Sequence, residues 1–206
     1  MAASNAELVP SVDLSAEDLA RADVYALISS LMYAPPTSQV LEFLRSGEVG
    51  VPEDGESEFA AAWKALRSAA AQRSDEDLRE EFDALFWGVG RPRVMVYGSY
   101  YLTGFMNERP LAELRDDLAR LGYRRETRAA EPEDHIAALC DVMRLLIVSG
   151  ADLGSQQEFF GKHLRPWYRK LANALASTEG ADFYKTVGSF AVAFFDVESA
   201  SFEIGN

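Results

Sequence analysis

The sequence is poor in the residues that build metal and redox sites. Its 206 residues include one cysteine, Cys140, and two histidines, His135 and His163. A single cysteine excludes a disulfide within the chain, and neither a His-x-x-x-His nor a Cys-x-x-Cys pattern is present to give the ligand spacing of a zinc site. Apolar neighbours around Cys140 predict a buried thiol without a redox role. We therefore expect no metal site in this chain.

Long apolar segments are also missing. No stretch approaches the roughly eighteen apolar residues that a membrane-spanning helix needs. The first residues, Met1 to Leu8, have no basic start and no apolar run of signal-peptide length. The sequence thus predicts a cytoplasmic protein that does not insert stably into a membrane.

Positive charge is scarce. The chain has 20 lysine and arginine residues against 33 aspartate and glutamate residues, a formal net charge of −13. A field of this sign repels the phosphates of nucleic acids and anionic lipid surfaces and attracts cationic partners. Nucleic acid is therefore not an expected partner. Acidity can also serve solubility alone, unless the carboxylates cluster around a binding cleft.

Signals of helix termini recur along the chain. Ser15, Ser57 and Ser74 each stand directly before a segment with helical periodicity, which predicts capped helices. Pro110 suits the first turn of another helix, and residues 155–158 match a capping box. These signals predict an all-α bundle of about eight to ten helices in two closely packed lobes.

One segment lacks a clear helical pattern. Residues 94–101 could form a short strand by composition, but no partner strand is evident, so we predict an ordered loop. Ser99 is expected to cap the helical stretch that follows.

The predicted domain organisation is a single domain over residues 1–206. We place an N-terminal lobe at about 1–122, a hinge at 123–131 and a C-terminal lobe at about 132–206. Because a short linker joins the lobes, exchange of helices could give a domain-swapped homodimer as well as a monomer.

Two motifs hold the most distinctive residue types. The first combines large aromatic side chains with glycines, and the second is a short acidic segment ending in histidine; this combination is typical of a peptide-binding cleft. The two glycines lack the lysine and the following helix of a phosphate loop. The motifs read Phe82-x-x-Leu85-Phe86-x-Gly88-x-Gly90, then Pro92 and Tyr97-x-Ser99-x-Tyr101, and Glu131-Pro132-x-Asp134-His135.

Together these motifs resemble the signature of the TorD/DmsD family of cytoplasmic chaperones for molybdenum enzymes, related to the NarJ group. The resemblance implies a chaperone without enzymatic activity that binds the N-terminal twin-arginine signal peptide of a molybdopterin oxidoreductase. It would prevent premature export of that client and assist insertion of the client's molybdopterin cofactor. No cofactor of the chain's own is expected.

The resemblance also indicates which residues bind the peptide. Asp134 could accept charge-assisted hydrogen bonds from an arginine, and His135 could orient it. Replacing either with alanine is expected to weaken peptide binding with little change in the thermal unfolding midpoint. The expected peptide-binding residues are Trp87, Gly88, Gly90, Pro92, Tyr97, Ser99, Tyr101, Asp134 and His135, supported by Phe82, Leu85, Phe86, Glu131 and Pro132.

Two other functions stay open at this point. One is a NarJ-like assembly factor whose client carries no export signal. The other is a helical enzyme that uses Glu131, Asp134 and His135 as acid and base groups, which would require these side chains to converge in a closed pocket. The sequence does not identify the client enzyme.

Overall fold

The structure, a computed structural model, describes residues 13–46, 57–87, 91–124 and 131–204. Within these ranges it contains no β-strand and a single isolated β-bridge, between Tyr97 and His135. The prediction of an all-α fold with eight to ten helices is confirmed. The helices are α1 (Ala16–Tyr33), α2 (Ser38–Ser46), α3 (Glu58–Ala71), α4 (Asp75–Phe82), which continues into a π-helical turn (Asp83–Trp87), α5 (Gly98–Thr103), α6 (Arg109–Arg120), α7 (Ile136–Val148), α8 (Leu153–His163), α9 (Tyr168–Ser177) and α10 (Asp182–Ile204).

Serine side chains begin three of these helices, as predicted. The Ser15 hydroxyl accepts a hydrogen bond from the backbone N–H of Asp18 at 3.0 Å, at the start of α1. The Ser57 hydroxyl accepts one from the backbone N–H of Ala60 at the start of α3. Ser74 and Asp77 form a reciprocal capping box at α4. Each cap satisfies a backbone N–H that has no partner within its own helix.

Two predictions about helix starts are wrong. Residues 98–101 belong to α5 instead of a loop, and Ser99 lies inside that helix instead of capping it. At α8 the capping residue is Asp152, whose carboxylate accepts the Ser155 N–H at 2.9 Å, so Ser155 does not begin the helix. In both helices an aspartate carboxylate accepts a backbone N–H of the first turn. For α5 this aspartate is Asp134, which is distant in sequence.

The core is continuous through the molecule. Helix α1 packs along α7, while α3 and α9 pack against the 23-residue helix α10, which also contacts α1, α4 and α8. Aromatic rings fill much of the space, for example Trp63 against Phe190 with centroids 5.5 Å apart. None of the described helices has the length and apolar content to cross a membrane.

Helices from both predicted lobes share this core. Helix α1, from the segment before residue 123, packs against α7 from the segment after 131, and α3 likewise packs against α10. Most of the predicted hinge, residues 125–130, lies outside the described residues. The division into lobes and the domain-swapped dimer stay predictions, and a swap would have to rebuild these helix contacts.

A buried carboxylate joins α10 to α1. Glu198 is 2% exposed and accepts hydrogen bonds from Arg21 Nε at 2.7 Å and from the Tyr25 hydroxyl at 3.0 Å. On the same helix, Glu203 also pairs with an arginine, Arg165, but both side chains are more than half exposed. The two glutamates therefore make similar ion pairs in very different surroundings.

We expect Glu198→Ala to lower the free energy of unfolding by about 3 kcal/mol, because it leaves the Arg21 charge without its buried partner. Glu203→Ala, the matched control, should change it by less than about 0.5 kcal/mol, since exposed pairs contribute little. Urea unfolding followed by circular dichroism measures both. Equal losses for the two variants would contradict a stabilising role for the buried pair.

Candidate functional site

Backbone pairing brings the two sequence motifs together. The Gly98 N–H donates to the Asp134 carbonyl and the Ile136 N–H donates to the Val96 carbonyl, each at 2.9 Å. Between these bonds Tyr97 and His135 form the isolated antiparallel bridge, with their rings edge to face at a centroid distance of 5.3 Å. Segments nearly forty residues apart in sequence thus form one wall.

Asp134 is a structural cap. Its carboxylate Oδ2 accepts the Ser99 N–H at 2.8 Å, at the first turn of α5, where an N–H has no partner within the helix. Asp134 is only 4% exposed and Ser99 is fully buried. A ligand in solution therefore has little access to either side chain.

His135 caps the next helix. Its Nδ1 accepts the Ala137 N–H at 3.1 Å at the start of α7, so the ring proton is on Nε2. Burial lowers the pKa of His135 to about 4, although the charges of Glu131 and Asp134 act in the opposite direction. The ring is therefore neutral at physiological pH.

A groove of about 410 Å³ lies beside this wall, between the end of α1, the end of α6 and one face of α7. Most of the residues that line it are apolar or aromatic. Its volume is in the usual range for ligand sites. The lining consists of Tyr33, Leu118, Tyr123, Pro132, Ala138, Val142 and Leu145, with Arg124, Glu131, Glu133, His135 and Asp141 as the polar members.

The groove is acidic at its edge, with three carboxylates against the single cation of Arg124. Glu131 accepts a hydrogen bond from the Tyr97 hydroxyl. Burial and the neighbouring carboxylate raise the pKa of Tyr97 well above its ordinary value, so the tyrosine stays neutral and does not cancel the charge of Glu131. Glu133 pairs with Arg115 at 2.8 Å, and Asp141 is exposed.

Asp134 and His135 line different cavities. His135 lines the groove, whereas Asp134 and Ser99 line a smaller cleft of about 90 Å³ next to Trp167. The Asp134 carboxylate turns toward the start of α5, whereas the His135 ring turns toward Tyr33 and Tyr97. Of the predicted peptide-binding residues, His135 lines the groove. Tyr97 lies on the wall and packs against the His135 ring.

Other predicted site residues lie elsewhere. Trp87 is 60% exposed and packs edge-on against Phe82, but it does not line the groove. Tyr101 stacks on Trp167 at 5.5 Å and donates its hydroxyl proton to the Met95 carbonyl. Pro92 is half-buried.

The remaining residues of the first motif are core or undescribed. Phe82, Leu85 and Phe86 are buried, as their shared helical face predicts. Gly88 and Gly90 lie outside the described residues. Glu131 and Pro132, predicted only as support, line the groove directly.

The α7 face of the groove was not predicted from the sequence. Ala138, Asp141, Val142 and Leu145 follow His135 at intervals of three or four residues, the spacing of one helical face. That spacing was a readable signal, but the apolar character of α7 indicated core. Among the described residues, no group of three histidine, cysteine, aspartate or glutamate side chains could hold a metal ion.

The buried position of Asp134 changes the expected effect of its replacement. We expect Asp134→Ala to lower the free energy of unfolding by about 1–2 kcal/mol through loss of the α5 cap, contrary to the unchanged midpoint expected from sequence. Asp134→Asn keeps a side-chain acceptor for the Ser99 N–H and should lose less. Chemical denaturation of both variants is the measurement, and an unaltered Asp134→Ala protein would contradict the capping role.

The depressed pKa of His135 predicts acid sensitivity. A histidine whose folded pKa lies below its unfolded value near 6.5 contributes stability above pH 6.5, and this is lost as pH falls toward 4. The contribution is on the order of 3 kcal/mol. His135→Asn, which can still cap α7, should flatten the fall in unfolding free energy between pH 6.5 and 4. An identical pH profile in variant and wild type would show that His135 is not the titrating group.

Comparisons with known proteins agree with the motif resemblance. Residues 52–173 match the family model described as nitrate reductase delta subunit. The chaperone protein TorD of Vibrio cholerae is 26% identical over 84% of this chain and 88% of its own, and that of Aliivibrio fischeri is 26% identical over 90% and 96%. A crystal structure from Archaeoglobus fulgidus, assigned as a redox enzyme maturation protein, shares the fold with a TM-score of 0.53 and 19% identity, over 86% of this chain and 92% of that one. The chain belongs to the nitrate reductase delta subunit family, the NarJ/TorD family of redox-enzyme maturation chaperones.

Proposed function

We propose that this chain is a cytoplasmic chaperone whose groove binds the twin-arginine signal peptide of a molybdopterin oxidoreductase. Bound in this way, the client is kept from premature export and is held for insertion of its cofactor. The chaperone catalyses no reaction and contributes no cofactor of its own. Relatives named chaperone protein TorD, similar over most of their length, support the class of function.

The observation that carries the proposal is an apolar groove with a carboxylate edge. A twin-arginine peptide joins a cationic stretch to an apolar stretch, so its receptor needs both kinds of surface. Val142, Leu145 and Tyr33 offer the apolar part, and Glu131 and Asp141 offer charge. Affinity then comes mainly from apolar burial, and the carboxylates contribute selectivity and rate of encounter.

The overall charge of the chain favours the same partner. With a net charge of −13, the surface attracts a cationic peptide over distances near the Debye length. Association should therefore slow as salt is added, while the apolar contacts are little affected. A negatively charged partner would be repelled by the chaperone instead of attracted to it.

The enzyme alternative has little support from the geometry. Glu131 and His135 stand at the groove, but Asp134 is buried on the other side as a helix cap. The three groups do not converge on one point where a substrate atom could sit. The NarJ-like alternative uses the same groove and differs only in the peptide that fills it.

We expect a synthetic peptide with an arginine pair followed by an apolar stretch to bind in calorimetric titration. Leu145→Ala should weaken binding roughly fivefold, about 1 kcal/mol, by removing apolar contact. Leu19→Ala is the matched control, since Leu19 is 49% exposed on α1 outside the groove. Glu131→Gln should weaken binding roughly threefold at low salt and reduce the salt dependence.

Two outcomes separate the candidate functions. If a client N-terminal segment without the arginine pair binds equally well, the NarJ-like assembly factor is the better description. If Leu145→Ala and Leu19→Ala weaken binding equally, the groove is not the binding site. Glu42→Gln, at an exposed position on α2, controls for the loss of one negative charge.

A further inference from the structure

We infer that the bound peptide lies along α7 in one direction, with its arginine pair beside Glu131 and Tyr33 and its apolar stretch running toward Leu145. This inference rests on the proposed function, because it concerns the same groove. It adds the direction of the peptide and the residues that distinguish arginine from lysine.

Two of the three carboxylates that line the groove stand at one end of it. Glu131 and Glu133 immediately precede the first turn of α7, and the Asp134 carboxylate lies just behind them. The positive end of the α7 dipole, about half a charge, and the paired Arg115 offset part of this. Arg124 also lines the groove. Glu131 is hydrogen-bonded to the neutral Tyr97 hydroxyl and keeps its charge, so this end favours a cation.

Tyr33 provides an aromatic surface at the same end. Its ring meets that of His135 at a centroid distance of 6.0 Å, and the residue is 53% exposed. A guanidinium group can stack on such a ring while donating to a nearby carboxylate, whereas the compact ammonium of lysine does not stack in this way. Tyr33 and Glu131 together therefore favour arginine over lysine.

The other end of the groove is apolar. Val142 and Leu145 lie on α7 beyond His135, and Leu145 is ten positions after His135. At 1.5 Å per residue this is about 15 Å, the span of roughly five extended or ten helical peptide residues. Apolar residues about five positions after the arginine pair, or about ten if the peptide is helical, thus reach Leu145.

The reverse placement is unfavourable at both ends. An arginine next to Val142 and Leu145 could pair with Asp141, but its charged group would displace the apolar contacts that these two side chains offer. Apolar residues next to Glu131 and Glu133 would desolvate carboxylates with which they cannot pair. Charge and apolar contact thus select the same direction.

Spin labels at the two ends of the groove test the direction. Cys140 is fully buried, so an added surface cysteine can be labelled selectively. Ala34→Cys places a label directly after Tyr33, and Ser149→Cys places one directly after α7. We expect the label at position 34 to broaden the resonances of the peptide's arginines and the label at 149 to broaden those of its apolar stretch.

Different failures have different meanings. Reversed or equal broadening from the two labels, with affinity intact, would overturn the direction and leave the proposed function standing. A peptide that does not bind either labelled protein or the wild type would overturn the proposed function, and the direction with it.

A substitution at Tyr33 tests the selectivity. Tyr33→Leu should weaken binding of the twin-arginine peptide about fivefold and that of a twin-lysine peptide less than twofold, because only the arginine peptide uses the ring face. Equal weakening of both peptides would indicate a general structural effect and would overturn the role of Tyr33 in recognising arginine.

Discussion

The pairing of residues 96–98 with residues 134–136 is the constraint on which the site depends. Two backbone hydrogen bonds and the Asp134 carboxylate join the start of α5 to the start of α7. Each partner supplies what the other lacks, since α5 has no side-chain cap of its own and Asp134 would otherwise be a buried charge without a donor. Breaking this junction would release the wall that carries Tyr97, Glu131 and His135.

The junction also assigns different roles to neighbouring residues. Asp134 turns inward and stabilises the fold, whereas Glu131 turns toward the groove and can meet a ligand. His135 also lines the groove, but at 4% exposure its ring mainly supports the wall. Because the bundle packs α1 against α7, Tyr33 reaches the same groove from the other side. The groove that we propose as the peptide receptor thus forms between three helices, joined by contacts that also stabilise the core.

Much of the fold followed from local patterns. Ser15, Ser57 and Ser74 begin helices because a serine hydroxyl can satisfy a free N–H within its own segment, and such effects are visible in sequence. The cap of α5 was not visible, because its acceptor comes from a residue 35 positions away. The face of α7 that lines the groove was hidden for a related reason, since apolar periodicity does not say whether a face meets core or an open groove.

The sequence by itself determined the helical class, the acidic surface and the two motifs that mark the family, because composition, periodicity and short-range capping depend only on neighbours along the chain. The tertiary structure alone decided that Asp134 and His135 face apart, that Trp87 lies away from the groove, and that Tyr33 and Leu145 belong to it. These facts depend on how α1, α6 and α7 pack, and packing geometry is set by contacts between residues that are distant in sequence.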